Sequence, residues 1–97
     1  MELTGKQRRH LRSIGAKLSP IVKIGQKSFS ETVLNEVEFS LDQNELIKIQ
    51  LVGSEGKERK VLAAELAEKV KAHLVQVLGK SVLLYRENSK LENKKLV

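Results

Sequence analysis

"PIVKIGQKSFSETVLNEVEFSLDQ", residues 20–43, changes its apolar period halfway along. Its first part, "IVKI" at 21–24, is short and almost continuously apolar, which reads as a strand buried on both faces. Pro20 favours that start, because the residue before a proline is pushed toward extended backbone. Gly25 ends the strand. Beyond it, Val33, Leu34, Val37 and Leu41 recur at helical spacing. Ser30 suits the N-cap of this helix, with Phe29 and Leu34 placed for a hydrophobic staple; Ser28 is a rival cap, with Glu31 at its third helical position. A strand that turns through a glycine into a helix opens an α/β unit, and the flanking sequence continues the alternation.

Upstream, "LTGKQRRHLRSIGAKLS" (3–19) predicts a first helix. Thr4 is a good N-cap, and Gln7 completes a capping box. Leu11, Ile14 and Leu18 share one face, Lys6, Arg9, Ser13 and Lys17 the opposite one, and Arg8 and Arg12 flank the apolar stripe. Downstream, "ELIKIQLV" (45–52) sets Leu46, Lys48 and Gln50 against Ile47, Ile49 and Leu51, the period of a strand. "GSEG" (53–56) ends it. "KERKVLAAELAEKVKAH" (57–73) predicts a third helix, with Leu62, Leu66 and Val70 on one side and His73 at its end. "LVQVLGKSVLLYR" (74–86) reads as two strands around a Gly79-Lys80 hairpin turn. The order is α-β-α-β-α-β-β. Helices between the first three strands favour parallel pairing, and the last strand folds back antiparallel. The expectation is a small single α/β domain over residues 1–86 with a mixed four-stranded sheet, followed by a polar tail, "ENSKLENKKLV", at 87–97.

The 97 residues suit one domain, and with two Phe, one Tyr and no Trp the core has to be aliphatic. No cysteine occurs, which removes disulfides and thiolate metal sites from consideration. No apolar stretch approaches a membrane span, and the polar N-terminus lacks a signal-peptide apolar region, so the cytoplasm is the expected location. The net charge of +6 lies entirely in residues 1–30, which hold Lys6, Arg8, Arg9, Arg12, Lys17, Lys23 and Lys27 against Glu2; bases and acids balance in the remainder. A charge concentrated in one segment makes a local field suited to a polyanion.

Enzyme constellations are poor. His10 and His73 share no local motif with each other or with an acid, and no Walker motif, dinucleotide fingerprint or metal-ligand cluster occurs. No catalytic residue, metal or cofactor is expected. The loop "GQKS", residues 25–28, is the better candidate for a ligand. Gly25 allows close approach to the backbone, the amides opening the next helix suit an anion, and Lys23 and Lys27 add charge. "GSEG" has the literal G-x-x-G spelling, but Glu55 and Glu58 repel a phosphate, so it is read as a plain strand-to-helix connection. Scarce aromatics argue against base stacking on a sheet and for contacts to the RNA backbone and shape.

Three stretches, "LTGKQRRHLRSIGAKLSPIVKIGQKSFSETVL", "ELIKIQL" and "VQVLGKSVLLYR", together resemble the bacterial YhbY-type proteins, single-domain members of the CRM (chloroplast RNA splicing and ribosome maturation) family. The likeness runs from about Leu3 to Arg86. It implies a fold similar to the C-terminal domain of translation initiation factor three, RNA binding, and association with precursors of the large ribosomal subunit. It also implies an RNA surface made of the basic first helix and the loop Gly25, Gln26, Lys27, Ser28, in which Ser28 stands where the family has a second glycine. A serine hydroxyl there can donate to a phosphate or cap the helix. The combined expectation is a non-catalytic RNA-binding protein of large-subunit assembly, monomeric when free, that uses Lys6, Arg8, Arg9, Arg12, Lys17, Lys23 and residues 25–28. The competing expectation is a protein-binding adaptor on ribosomal or translation proteins. Attachment to a membrane surface is disfavoured, because the first helix has too few large apolar residues.

Overall fold

A computed structural model of the chain describes residues 2–25 and 28–88. Its elements are α1 (Gly5–Gly15), β1 (Val22–Ile24), α2 (Glu31–Gln43), β2 (Leu46–Leu51), α3 (Gly56–Lys69), β3 (His73–Leu78) and β4 (Ser81–Tyr85). The order is α-β-α-β-α-β-β, as the periodicities predict. The four strands form one mixed sheet in the order β1-β2-β4-β3. β1 and β2 pair in parallel, with Val22 opposite Ile49 and Ile24 opposite Leu51. β4 runs antiparallel to both β2 and β3.

That order corrects the expected pairing of the first three strands. They do point the same way, but β3 does not pair with β2, because β4 is inserted between them. Burial gives the reason. Val82 and Leu84 face one layer and Leu83 and Tyr85 the other, and all four are buried, so β4 needs cover on both faces and takes a central place. β1 is the opposite case. Val22 and Ile24 are buried, but Lys23 and Ile21 are exposed, so this edge strand is covered on one face and not on two as its sequence suggests.

One face of the sheet carries the larger core. Ile47, Ile49, Leu51, Val82 and Leu84 meet Val37 and Leu41 of α2 and Leu62, Ala63, Leu66 and Ala67 of α3. Each large aliphatic side chain fully buried here stabilises the fold by roughly 1.5–3 kcal/mol. Among the described residues the other face carries only α1, which seats Leu11 on Leu46, Val75, Leu83 and Tyr85, with Leu3, Ile14 and Leu18 partly buried around them. Gly15 brings the α1 backbone so close to Leu83 that a Cβ there would overlap its methyl groups.

Local signals explain most boundaries. Thr4 and Gln7 form a reciprocal capping box, at 3.1 Å from the Gln7 amide to Thr4 Oγ1 and 2.9 Å from the Thr4 amide to Gln7 Oε1. α1 ends at Gly15, earlier than the run to Ser19 suggests, and the amides of Lys17 and Leu18 bond back to Ile14 and Gly15 in tighter turns. α3 also ends early. Lys71 takes a left-handed φ of 56°, and the amides of Lys71 and Ala72 bond the carbonyls of Glu68 and Ala67. This is a Schellman stop with lysine where glycine is usual. His73 is therefore not a helix-end residue but the first residue of β3, stacked on Tyr85 with ring centroids 6.1 Å apart. The hairpin turn falls at Gly79-Lys80 as its sequence predicts, with a positive φ of 57° at Gly79 alone, the pattern of a type II′ turn. Past β4, the Arg86 guanidinium donates to Glu38 Oε1, Asp42 Oδ1 and the Val70 carbonyl, each at 2.8 Å. The Asn88 amide donates to the buried Glu45 at 2.7 Å, which ties this residue of the expected tail to the domain. Residues 89–97 are outside the described residues.

Candidate nucleic-acid interface

α1 covers only part of its face of the sheet. Beneath it lies the row Leu46, Tyr85, His73; the next row along the strands is Lys48, Leu83, Gln76, and the row after that is Lys23, Gln50, Ser81, Leu78. Side chains alternate across a strand, and Ile47, Ile49, Val22 and Ile24 belong to the core on the other side. Lys48, Gln50 and Lys23 therefore face the α1 layer. A bulge at Val75 keeps Gln76 on this face too, because it moves the pairing from Leu74–Leu84 directly to Gln76–Leu83. The result is a polar floor three gaps wide between neighbouring strands, about 14 Å across. Arg12 and Gly15 of α1 and Ala16 at its C-cap overhang it, and with Lys48, Gln76, Leu78, Ser81 and Leu83 they enclose a cleft of about 180 Å³.

Of the predicted basic residues, Arg12 lines this cleft and Lys23 stands in the floor's last row, and Arg8 has a structural role as well. Lys6, Arg9, Arg12 and Lys17 are exposed. Arg8 is half-buried and donates from Nη1 to the Leu74 carbonyl at 2.7 Å, so it fastens α1 to β3 as well as carrying charge. Lys23 is exposed at the end of the floor. Gly25 follows at the edge of the sheet, where the parallel strands end and α2 and α3 begin. Ser28 is exposed and does not cap α2; Ser30 does, accepting from the Val33 amide at 3.2 Å. Gln26 and Lys27 lie outside the described residues.

The two glycine loops are neighbours. The Val52 amide bonds the Ile24 carbonyl at 2.9 Å, and a Cβ on Gly53 would stand 3.2 Å from the Gly25 carbonyl oxygen. "GSEG" thus buttresses the Gly25 loop from β2. Its own cleft, lined by Gly53, Ser54, Glu55, Glu58, Arg59 and Lys80, is poorly suited to an anion. Two carboxylates line it, and the Arg59 guanidinium is drawn onto the carbonyls of Gly79, at 2.8 Å, and Ser54.

Lys48, Gln50, Gln76 and Ser81 are candidate site residues that sequence reasoning did not single out. The signal for the first two was present, since the alternation of β2 already sets Lys48 and Gln50 apart from the buried isoleucines. Gln76 and Ser81 needed the bulge and the strand order. At the covered end of the face, burial first, and then nearby positive charge that includes Arg8, lower the His73 pKa. Among the described residues no group of His, Cys, Asp and Glu could hold a metal ion, and no helix is long and apolar enough to cross a membrane.

Comparison with known proteins follows the same outline. The chain is 40% identical over 90 residues to the probable RNA-binding protein PA4753 of Pseudomonas aeruginosa, covering 93% of this chain and 86% of that one. It is 32% identical over 94 residues to the probable RNA-binding protein YqeI of Bacillus subtilis, covering 97% and 96%. The solution structure of the hypothetical protein SAV1595 from Staphylococcus aureus superposes with a TM-score of 0.85 at 34% identity, over 99% of this chain and all of that one. A family model described as the CRS1 / YhbY (CRM) domain matches residues 3–86, nearly the whole chain, and the chain belongs to that family.

Proposed function

We propose that this CRM-domain chain is a non-catalytic RNA-binding protein that acts on ribosomal RNA in precursors of the large ribosomal subunit. The observation that carries the RNA reading is the largely polar floor that the described residues leave partly open, running from Arg12 of α1 through Lys48 and Gln50 to Lys23 beside the Gly25 edge. Relatives along the whole chain are named RNA-binding proteins, which supports the same reading. The assembly role rests on the family resemblance. Lys6, Arg9, Arg12, Lys17 and Lys23 neutralise phosphates, and Arg8 adds its charge from a fixed position. Lys48 extends the charge along the floor, while Gln50, Gln76 and Ser81 offer neutral hydrogen-bonding groups to sugars and bases. At the edge, the Gly25 to Ser28 segment contributes the exposed Ser28 hydroxyl and the charge of Lys27 toward the backbone of the same strand.

Two measurements test this reading. Lys23→Ala combined with Lys48→Ala should weaken binding to a panel of ribosomal RNA fragments by about tenfold, alike across sequences, since lost phosphate contacts cost affinity without changing specificity. Unchanged affinity would remove the floor from the interface. Crosslinking in growing cells, with the crosslinked nucleotides mapped, should place the chain on large-subunit RNA; crosslinks to protein alone would favour the adaptor reading.

A further inference from the structure

The layer opposite the RNA-facing side has a charge of the other sign. α2 contains Glu31, Glu36, Glu38 and Asp42 and no lysine or arginine. One flank, Glu38 and Asp42, is bridged by Arg86 at 2.8 Å to each. The outward stripe, Thr32, Glu36, Phe39 and Gln43, follows helical spacing and is exposed throughout. Phe39 is 66% exposed, whereas the other two aromatics, Phe29 and Tyr85, are half-buried and buried. It is the aromatic that the fold leaves outside.

We propose that the outward face of α2, centred on Phe39 and Glu36, is a docking surface for a basic polypeptide. Charge complementarity selects the partner. An acidic helix repels a phosphate backbone, so this face does not extend the RNA surface on the other side of the sheet. It favours a lysine- or arginine-rich segment carrying an apolar side chain against the Phe39 ring. Aromatic anchors inside a charged surround are a common form of binding centre. The α1 flank and the floor lie on the far side of the sheet, and the Gly25 edge precedes α2 rather than sharing the stripe centred on Phe39, so both surfaces can be occupied at once, and the inference does not depend on RNA being the ligand there.

The test uses the full chain and an 18-residue peptide of alternating lysine and leucine, with its glutamate–leucine counterpart as control. The lysine peptide should bind and the glutamate peptide should not. Phe39→Ala and Glu36→Lys should each weaken lysine-peptide binding at least tenfold, while Glu65→Ala, an acid removed from α3, leaves it unchanged. RNA affinity, measured in parallel, should be the same in all of these variants. Failure of RNA binding in the parent chain would strike the functional proposal and leave this one standing. Peptide binding that ignores Phe39→Ala would overturn it, as would photocrosslinking from position 39 to RNA or to a second copy of the chain. Tighter peptide binding after Lys94→Ala and Lys95→Ala would also overturn it, since the chain's own C-terminal residues would then be the occupant.

Discussion

Tyr85 is fully buried in the α1 layer, and its hydroxyl finds no hydrogen-bond partner among the described residues. Burial, followed by the charges of Glu45 and Glu87, pushes its pKa up to about 12. In the unfolded chain a tyrosine releases its proton near pH 10. Between those two values the folded state holds a proton that the unfolded state has lost, so stability falls as pH rises through that window, and it is unaffected by this group below it. Tyr85→Phe should abolish that term. In urea titrations the parent should lose about 1.4 kcal/mol per pH unit relative to the variant between pH 10 and 12. At pH 7 the variant should be equal or slightly more stable, because it buries no unpaired hydroxyl. Identical alkaline slopes would mean that the ring is not held as described.

Among the elements, α1 and the end of α3 give the clearest contrasts. Arg8 and Arg9 are adjacent and carry the same charge, yet Arg8 holds the Leu74 carbonyl while Arg9 is exposed. Arg8→Ala should cost about 1–2 kcal/mol in chemical unfolding and also weaken RNA binding. Arg9→Ala should stay within about 0.5 kcal/mol of the parent and lose RNA affinity alone. Lys71 occupies a left-handed position that disfavours any residue with a Cβ, so Lys71→Gly should raise the unfolding free energy by up to about 1 kcal/mol. The same residue shows why some of the fold was illegible. Element types and order followed from the switch between helical and strand periods, and Thr4, Ser30 and Gly79 announced their own ends. α3 had no glycine to mark its stop, so the helical pattern ran on to His73. β1 read as doubly buried because the exposure of Ile21 depends on its edge position, which no local pattern encodes. The strand order was partly written in the unbroken "VLLY" of β4, whose lack of alternation marks a central strand. The bulge that turns Gln76 toward the floor left no comparable mark.

At the scale of the whole molecule, charge is sorted by layer, with the basic excess on and beside α1 and an acidic helix across the sheet. If about five phosphates are neutralised on single-stranded RNA, log affinity against log salt should fall with a slope near −3.5. Fluorescence titrations over a range of potassium chloride would show it, and a flat response would exclude this mechanism. The basic residues were legible as a cluster in the first 30 positions, but the surface that Arg12 and Lys23 share with Lys48, Gln50 and Ser81 was not, because it is made by strands distant in sequence, 46–51 and 81–85. The place of β4 carries that dependence into synthesis. During translation, α1, the Gly25 loop and β2 all leave the ribosome before the strand that must lie between β2 and β3. Until residues 81–85 emerge, Leu46 and Val75 have no Leu83 or Tyr85 to join them under α1, and half of the floor does not exist. The basic segment is therefore present on the nascent chain from the start, whereas the floor beside it is assembled by the last strand to be made.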